Sequence, residues 1–251
     1  MRGAANYFAW YARLVTPQLG RRVLEVGCGL GNFTAYLLDR DLVVALDPEP
    51  GCIARLHERY ADRANLHVFV RGILDPEFHD LARYRPDSCV CLNVLEHVED
   101  DIAAVRALAS VLAPSGVIVL QLPAFQALYG PIDKNLNHYR RYNRPMVRRL
   151  ARDSGLLVRK IYYSNFIGFF GWWINAHILR LEAQSARQIE FFDRFIVPVV
   201  SAVERAVHPP FGQSLIAVLQ KPGGSDSGTE QAAAAAHPAP TATPFDPDNT
   251  A

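Results

Sequence analysis

The sequence has 251 residues, of which 50% are hydrophobic and 20% are charged, and its formal net charge is +1. This composition is typical of a globular α/β domain, and the near-zero charge gives no indication of a nucleic-acid partner. The four cysteines form no CxxC pair, so we expect buried free thiols in a reducing cytoplasm. The N-terminus lacks a long apolar core and a small-residue cleavage site, and we expect no signal peptide.

Predicted strands and helices alternate along the chain. Residues 4–15 predict an amphipathic helix. Strands are then predicted at RRVLEVG, LVVALDP, NLHVFVRG, DSCVCLNVL and GVIVLQLP, and the helices between them at NFTAYLLDR, GCIARLHERYA, residues 77–84 and DDIAAVRALASVL. A helix capped by Asn143, with Pro145 in its first turn, ends near Gly155 and precedes two further strands, LLVRKIYYS and QSLIAVLQK. This alternation predicts an α/β fold with a doubly wound, mostly parallel sheet.

The chain divides into one predicted domain and a tail. We assign residues 1–221 to the domain, which includes a hydrophobic helical insertion at 165–212. From Pro222 onwards the residues are mainly Gly, Ser, Ala, Thr and Pro, with almost no large apolar side chains. Such a segment cannot bury a core, so we expect 222–251 to be a disordered low-complexity tail.

Three glycines at alternate positions follow the first predicted strand, in VLEVGCGLGNF: Gly27, Gly29 and Gly31. Ligands of open α/β sheets bind beyond the carboxyl ends of the strands, and glycine lets the backbone approach them. The loop departs from the dinucleotide pattern GxGxxG because residue 32 is Asn. A tight turn between strand and helix would also explain these glycines.

Asp47 ends the second predicted strand, sixteen residues beyond Gly31. An acid at this place can accept hydrogen bonds from both ribose hydroxyls, although an exposed loop carboxylate is the alternative interpretation. Together, the glycine loop and Asp47 favour a nucleoside ligand without a diphosphate.

The segments VLEVGCGLGNFT, ALDPEP and NVLEHVED together resemble the class I S-adenosylmethionine-dependent methyltransferases, over roughly residues 20–165 and 214–220. The resemblance implies a Rossmann-like seven-stranded sheet with an antiparallel last strand, and S-adenosyl-L-methionine as cofactor. Ile73 stands where many relatives have an acid that reaches the adenine. The cofactor contacts that the resemblance implies are Glu25, Gly27, Gly29, Gly31, Asp47, Gly72, Ile73, Leu74, Asn93 and Leu95.

The segment NVLEHV raises the question of a metal. It resembles an E-x-x-E-H segment of quinone-biosynthesis O-methyltransferases that is associated with a metal; Glu96 and His97 match, but Asn93 replaces the first acid. Two adjacent ligands make a poor metal site. We therefore expect no metal, and we assign His97 to the cofactor side or the active-site wall, with a structural histidine as the alternative.

The segment 122–145, after the fifth predicted strand, concentrates polar and aromatic residues on a loop at the carboxyl side of the sheet. Such a loop is typical of a substrate site, and His138 is the candidate general base because histidine titrates in the required range. Alternatively, His138 and Asp133 only hold the loop in shape, and the arginines are solvated. The candidate substrate-binding residues are Tyr129, Asp133, Tyr139, Arg140 and Arg141.

The insertion at 165–212 is rich in large apolar residues, and residues 161–179 contain no Asp, Glu, Lys or Arg. Its helical part is too short to span a bilayer comfortably. It could be a lid over an apolar substrate, an oligomer interface or a surface that rests on a membrane. Basic residues at 140–160 give the membrane interpretation some support, but we favour a solvated basic face there. We expect a homodimer to cover part of the insertion and the remainder to form the roof of the acceptor pocket.

These observations predict a cytoplasmic biosynthetic methyltransferase that acts on a small, partly apolar organic molecule. The acceptor atom is left open between O, N and C. Two alternatives remain: methylation of a membrane-associated lipid or prenylated intermediate, and a cofactor-binding module without methyl transfer.

Overall fold

A seven-stranded sheet forms the centre of the molecule. The computed structural model describes residues 4–207 and 209–223. The spatial order of the strands is β3-β2-β1-β4-β5-β7-β6, with β7 antiparallel to both neighbours, so the predicted Rossmann-like, mostly parallel sheet is confirmed. The strands are β1 (Arg22–Val26), β2 (Leu42–Asp47), β3 (Leu66–Val70), β4 (Ser88–Leu92), β5 (Val117–Pro123), β6 (Leu157–Ser164) and β7 (Ser214–Gln220).

Eight α-helices accompany the sheet in the described ranges. A π-helical turn, Ile174–Ile178, continues α6, and another, Phe192–Ile196, joins α7 to α8. The helices are α1 (Ala5–Val15), α2 (Pro50–Arg59), α3 (Asp101–Val111), α4 (Pro131–Asn135), α5 (Arg144–Asp153), α6 (Phe166–Trp173), α7 (Ala186–Phe191) and α8 (Val197–Ala206).

The inner strands are buried on both faces, which explains why they read as continuous apolar runs. Side chains of α3 and α5 pack on one face together with Leu24 and Cys89. Side chains of α1 and α8 pack on the other face with Val23 and Val43, and those of α2 pack on Ala45 of the same face. The insertion before β7 therefore covers the same side of the sheet as the N-terminal helix.

The helix predicted at NFTAYLLDR is wrong. Only one 3-10 turn, Thr34–Tyr36, forms in this segment. The Thr34 hydroxyl donates to the Glu25 carboxylate at 2.7 Å, and the Asn65 side-chain amide donates to the Leu38 and Arg40 carbonyls at 3.2 and 2.7 Å. Because these groups are held by distant partners, the segment packs Phe33 and Leu37 on the face of the sheet without continuing as a helix.

The parallel strands bring the predicted site residues to one edge of the sheet. β1 and β4 are adjacent, but the strand that follows β1 lies on one side of this pair and the strand that follows β4 lies on the other. The gap between β1 and β4 is therefore the topological switch point. The glycine loop follows β1, Asp47 ends β2, and Asn93 follows β4 in a left-handed conformation with φ 53°. These residues therefore meet at the crevice where ligands of this fold class bind.

A carboxylate of the insertion holds the N-terminal helix. Buried Asp193 accepts hydrogen bonds from the backbone N–H groups of Asn6 and Tyr7 at 3.1 and 2.7 Å. The residue before α1 is Ala4, which has no capping side chain. Asp193 thus caps α1 from 186 residues away and joins it to the insertion.

Three other expectations concern parts outside the sheet. The predicted tail lies outside the described residues, apart from Pro222 and Gly223. All four cysteines are free, and Cys28, Cys89 and Cys91 are buried. In residues 4–207 and 209–223, no helix combines the length and the apolar character that a bilayer crossing requires.

We expect Asp193→Ala to lower the free energy of unfolding by about 1–3 kcal/mol, because two N–H groups of α1 lose their acceptor. Denaturant titration followed by circular dichroism measures the change. Asp62→Ala, at a side chain that is 82% exposed, is the control and should leave the midpoint unchanged. Equal midpoints for the two variants would contradict the capping role.

Candidate functional site

Two cavities open at the carboxyl edge of the sheet. The first has a volume of about 250 Å³ and lies between α1, the end of β1 and the ends of β4 and β5. Its polar wall contains buried Glu25 and Gln121, whose side-chain amide donates to the Tyr7 hydroxyl at 2.7 Å. The wall of this cavity includes Tyr7, Tyr11, Glu25, Gly27, Gly29, Asn93 and Gln121.

The glycine loop lines the first cavity with bare backbone. Gly27, Gly29 and Gly31 have φ angles of 76°, 51° and 75°, in the left-handed region that favours glycine. A Cβ atom at Gly27 would lie 2.3 Å from Val94 Cγ2, whereas one at Gly29 would meet no atom within 4 Å. Packing therefore requires glycine at 27, and the open space beside Gly29 can admit a ligand.

Glu25 ends β1 inside the first cavity. One carboxylate oxygen accepts the Thr34 hydroxyl at 2.7 Å, and removal from water raises the pKa of Glu25 to about 8. The uncharged acid is thus favoured when nothing positive lies beside it. A ligand cation in this cavity would lower that pKa and form an ion pair.

Asp47 holds the glycine loop in place. Its two carboxylate oxygens accept from the backbone N–H groups of Gly29 and Glu49 at 2.9 and 3.0 Å. The side chain is partly exposed and lies just outside the wall of the first cavity. The carboxylate can still accept further hydrogen bonds from a ligand, because each oxygen has a second lone pair.

The other predicted cofactor residues lie outside both cavity walls. Gly31 packs against Leu56, and Leu95 belongs to the buried core. In the turn after β3, the Gly72 N–H donates to Asp75 at 2.6 Å, Ile73 is buried and Leu74 is exposed. Their predicted contacts stay predictions.

The second cavity is larger, about 950 Å³, and lies between the loops after β4 and β5 and the insertion. Both catalytic candidates, His97 and His138, line it together with Arg141. The opposite wall comes from the insertion and includes Trp172, Ile189, Phe192 and Ile196. The first wall is thus titratable, whereas the insertion wall combines large apolar side chains with polar ones such as Glu182, Gln184 and Gln188.

A buried carboxylate organises the titratable wall. Asp133 is inaccessible to solvent and receives Arg141 through two hydrogen bonds, at 2.8 and 3.1 Å. His138 Nδ1 lies 2.9 Å from the same carboxylate, and the Gly130 N–H donates to it at 3.0 Å. Burial opposes the charge of Asp133, but the bonds from His138 and Arg141 outweigh it and lower its pKa. Asp133 therefore orients His138 and does not reach the cavity itself.

Three candidate donor groups lie together beside the second cavity: Glu96, His97 and His138 have ligand atoms within 4.8 Å of one another. Glu96 is buried, one of its carboxylate oxygens has no hydrogen-bond partner, and burial raises its pKa to about 8. Desolvation and the neighbouring His138 lower the pKa of His97.

His138 adds a third donor that the sequence analysis did not connect with Glu96 and His97. A nitrogen–oxygen set of this kind suits a transition metal. However, Asp133 already holds His138 Nδ1, so only Nε2 is free for the cavity. The expectation that no metal binds stays a prediction, and activity after dialysis against EDTA tests it.

Of the five predicted substrate-binding residues, the structure brings only Arg141 to a described cavity wall; Asp133 lies behind it, and Tyr129, Tyr139 and Arg140 lie elsewhere. The Tyr129 hydroxyl donates to the His138 carbonyl at 2.7 Å and so supports the loop. Tyr139 is 53% exposed, and Arg140 pairs with Asp101 at 3.0 Å. His138 and Arg141 face inward because both bind the buried Asp133, whereas Tyr139 and Arg140 between them face outward.

Sequence reasoning missed the contribution of the first helix. Tyr7 lines both cavities, and Tyr11, one turn later, lines the first. Their rings lie 4.4 Å apart. Aromatic residues at i and i+4 of an amphipathic helix were the available signal, but this spacing is equally typical of a core-facing stripe.

The two cavities meet at Tyr7 and Asn93, which line both. A ligand in the first cavity can therefore contact a ligand in the second at this place. The arrangement suits transfer of a group between two bound molecules.

Residues 2–161 match a family model described as a methyltransferase domain. Over 115 residues, the chain is 36% identical to the ubiquinone biosynthesis O-methyltransferase of Xanthomonas campestris pv. campestris (strain B100), a match that covers 43% of this chain and 45% of the relative. Over 158 residues, it is 29% identical to the protein of the same name from Alkalilimnicola ehrlichii, covering 57% and 63%. The chain thus spans about half to two thirds of the length of these curated relatives.

The fold is similar to that of the N-methyltransferase NodS from Bradyrhizobium japonicum WM9, solved in complex with S-adenosyl-L-homocysteine. The TM-score is 0.54 at 17% identity, over 86% of each chain. At this identity the likeness concerns the fold alone.

We expect Asp133→Ala to lower the free energy of unfolding by about 3–5 kcal/mol, because it leaves Arg141 buried without its partner. The double variant Asp133→Ala/Arg141→Met should recover part of the loss, since both charges are then absent. Asp153→Ala, which breaks an exposed pair with Arg149, is the control and should cost much less. Equal losses for the two single variants, by denaturant titration, would contradict the role of Asp133.

Proposed function

This chain belongs to the family of the methyltransferase domain that its residues 2–161 match, and we propose on that premise that it transfers a methyl group from S-adenosyl-L-methionine to a small, partly apolar organic acceptor. The observation that carries the proposal is the pair of cavities that meet at Tyr7 and Asn93. Methyl transfer requires donor and acceptor to be held in contact, and positioning supplies most of the rate acceleration in such reactions.

The first cavity fits the cofactor. S-Adenosyl-L-methionine supplies a methyl group on a positively charged sulphur and is converted to S-adenosyl-L-homocysteine. Glu25 would pair with its ammonium group, the bare backbone at Gly29 would border its methionine part, and Asp47 would accept the ribose hydroxyls. The buried acid and the open space beside Gly29 support this assignment.

His138 would act as the general base when the acceptor atom carries a proton. The Asp133 carboxylate accepts a hydrogen bond from Nδ1–H of His138, which leaves the Nε2 lone pair free to accept a proton from an O–H or N–H group in the second cavity. Arg141 keeps Asp133 ionised, and its guanidinium lies 4.8 Å from the Trp172 ring centre in the cavity wall. His97, 4.6 Å from His138 between ring centres, closes the same wall.

The walls of the second cavity define the acceptor class. A molecule with a polar end and an apolar body can place the polar end against His138 and Glu96 and the body against the insertion. The relatives named as ubiquinone biosynthesis O-methyltransferases favour a hydroxyl group over an N or C acceptor, and they support a biosynthetic role. A membrane-associated lipid or prenylated intermediate is the second candidate, because the insertion contributes several large apolar side chains to the cavity wall. The homodimer and the cytoplasmic location stay predictions.

Formation of S-adenosyl-L-homocysteine tests the proposal. The full chain is incubated with S-adenosyl-L-methionine and a panel of phenols, catechols and amines with apolar substituents, and the product is quantified by mass spectrometry. Turnover with at least one acceptor class is expected. Cofactor binding without turnover in the whole panel, including prenylated phenols, would favour a cofactor-binding module, and failure to bind the cofactor would overturn the proposal.

Cofactor affinity should rise with pH between about pH 6 and pH 8, because Glu25 must lose its proton to pair with the ammonium group. Calorimetry in buffers of different ionisation enthalpy should detect the release of about one proton at neutral pH. Glu25→Gln removes the titrating group, so its affinity should be weaker and independent of pH in this range. A parent affinity that is flat over the range would contradict the pairing.

His138→Ala should lower the rate of methyl transfer to an O–H or N–H acceptor by about 10²–10⁴-fold. The affinity for the cofactor should hardly change, since His138 is not part of the first cavity. The control is His79→Ala, because His79 is an exposed histidine that contacts Ser110 and lines neither cavity. Turnover close to that of the parent in a folded His138→Ala variant would exclude the base.

A further inference from the structure

The insertion carries most of the exposed apolar surface. Ten of the seventeen large apolar side chains that are exposed in the described residues lie between 170 and 207. Monomeric soluble proteins rarely expose a contiguous apolar patch of this kind without a partner. The surface therefore requires an occupant.

Half of these side chains form one stripe. Along α7, the π-helical turn and α8 lie Phe191, Phe195, Val199 and Val203, at intervals of four residues, and Val207 directly follows α8. Each of the five is at least 50% exposed. In a regular α-helix this interval drifts around the axis, but a π-helical turn with more residues per turn reverses part of the drift. The π turn thus keeps the stripe on one side of the helix.

A second stripe runs along α6 and its π-helical turn. It contains Phe170, Trp173, Ile174, Ile178 and Leu179, all exposed. We call the two stripes together the insertion face.

Arginines accompany the apolar stripes. Arg187, Arg194 and Arg205 are exposed, and each lies within four residues of a member of the first stripe. Within the described residues, no ion pair involves them or Arg180.

The acids of the insertion are mostly directed inward. Asp193 and Glu204 are buried and accept backbone N–H groups, from Asn6 and Tyr7 and from Asn165 and Phe166 respectively. Only Glu182 and Glu190 remain exposed in this segment. The exposed charge of the insertion is therefore positive.

The second cavity opens onto the insertion face. Ile174 belongs to one stripe and Phe191 to the other, and both also line the cavity. A molecule whose apolar body is embedded in the occupant of this face could enter the cavity between the stripes without passing through water.

We propose that the insertion face docks on the surface of an anionic lipid bilayer and admits a membrane-resident acceptor into the second cavity. Apolar side chains on one side of a helix and arginines beside them are the combination that binds such a surface. In a symmetric dimer through this face, by contrast, the arginines of one copy would face the same positively charged surface of the other copy. That surface offers only two exposed acids to pair with them. The admission of an acceptor rests on the proposed function, but the docking does not.

Co-sedimentation of the full chain with vesicles tests the docking. The parent should bind vesicles of phosphatidylcholine and phosphatidylserine, and bind less to phosphatidylcholine alone. Val199→Glu/Val203→Glu should reduce the partition coefficient by about tenfold or more, because both side chains lie in the stripe and outside the cavity wall. The matched control, Leu157→Glu, changes an equally exposed apolar residue on β6 and should bind like the parent.

Charge reversal tests the arginines separately. Arg187→Glu/Arg194→Glu should weaken binding to the anionic vesicles by at least about fivefold per residue, whereas Arg55→Glu/Arg83→Glu, with the same net charge, should have a much smaller effect. All variants should keep the parent's cofactor affinity and melting temperature, because the changed residues are exposed and distant from the first cavity.

Two results would overturn the docking: a parent that stays in the supernatant with anionic vesicles, or a dimer by light scattering that Val199→Glu/Val203→Glu dissociates. The second result would assign the face to another copy of the chain. Neither result affects cofactor turnover in solution, so failure of the docking is distinguishable from failure of the proposed function.

Discussion

The buried carboxylate of Asp133 is the interaction on which the acceptor side of the molecule depends. A charge without solvent costs several kcal/mol unless it is paired and hydrogen-bonded, so the loop between β5 and α5 can close only when Arg141, His138 and the Gly130 N–H all reach the same group. This requirement selects one loop arrangement. Arg141 also contacts the Trp172 ring of the insertion. This contact links the two walls of the larger cavity.

The same device recurs where the insertion meets the rest of the fold. Asp193 and Glu204 are buried acids whose oxygens accept backbone N–H groups at the starts of α1 and α6. In both helices, residues distant in the sequence accept hydrogen bonds from the first N–H groups. The insertion is therefore attached by directional polar bonds, and its apolar side chains remain free to face outward.

The sequence predicts the sheet and the cofactor edge well, and the acceptor side less well. Continuous apolar runs and alternation with helices determine the strands, and parallel topology then brings the glycine loop, Asp47 and Asn93 together. Contacts such as Tyr7 with Gln121 join residues 114 positions apart and leave no local pattern. The helix predicted at 32–40 failed for the same reason, because the Asn65 amide that binds this segment lies in the turn before β3. The polar and aromatic composition of residues 122–145 predicted a functional loop. It could not predict that His138 and Arg141 face inward and Arg140 outward, because this depends on the fold.

The tie between α1 and the insertion has a consequence for how ligands enter and leave. Tyr7 of α1 closes the smaller cavity, the insertion closes the larger one, and Asp193 joins the two covers by hydrogen bonds to the first turn of α1. Opening one cover strains the bonds to the other, so the covers form a single mechanical unit. We therefore expect the two covers to open together, and a displacement of α1 from the sheet to disturb both cavities at once.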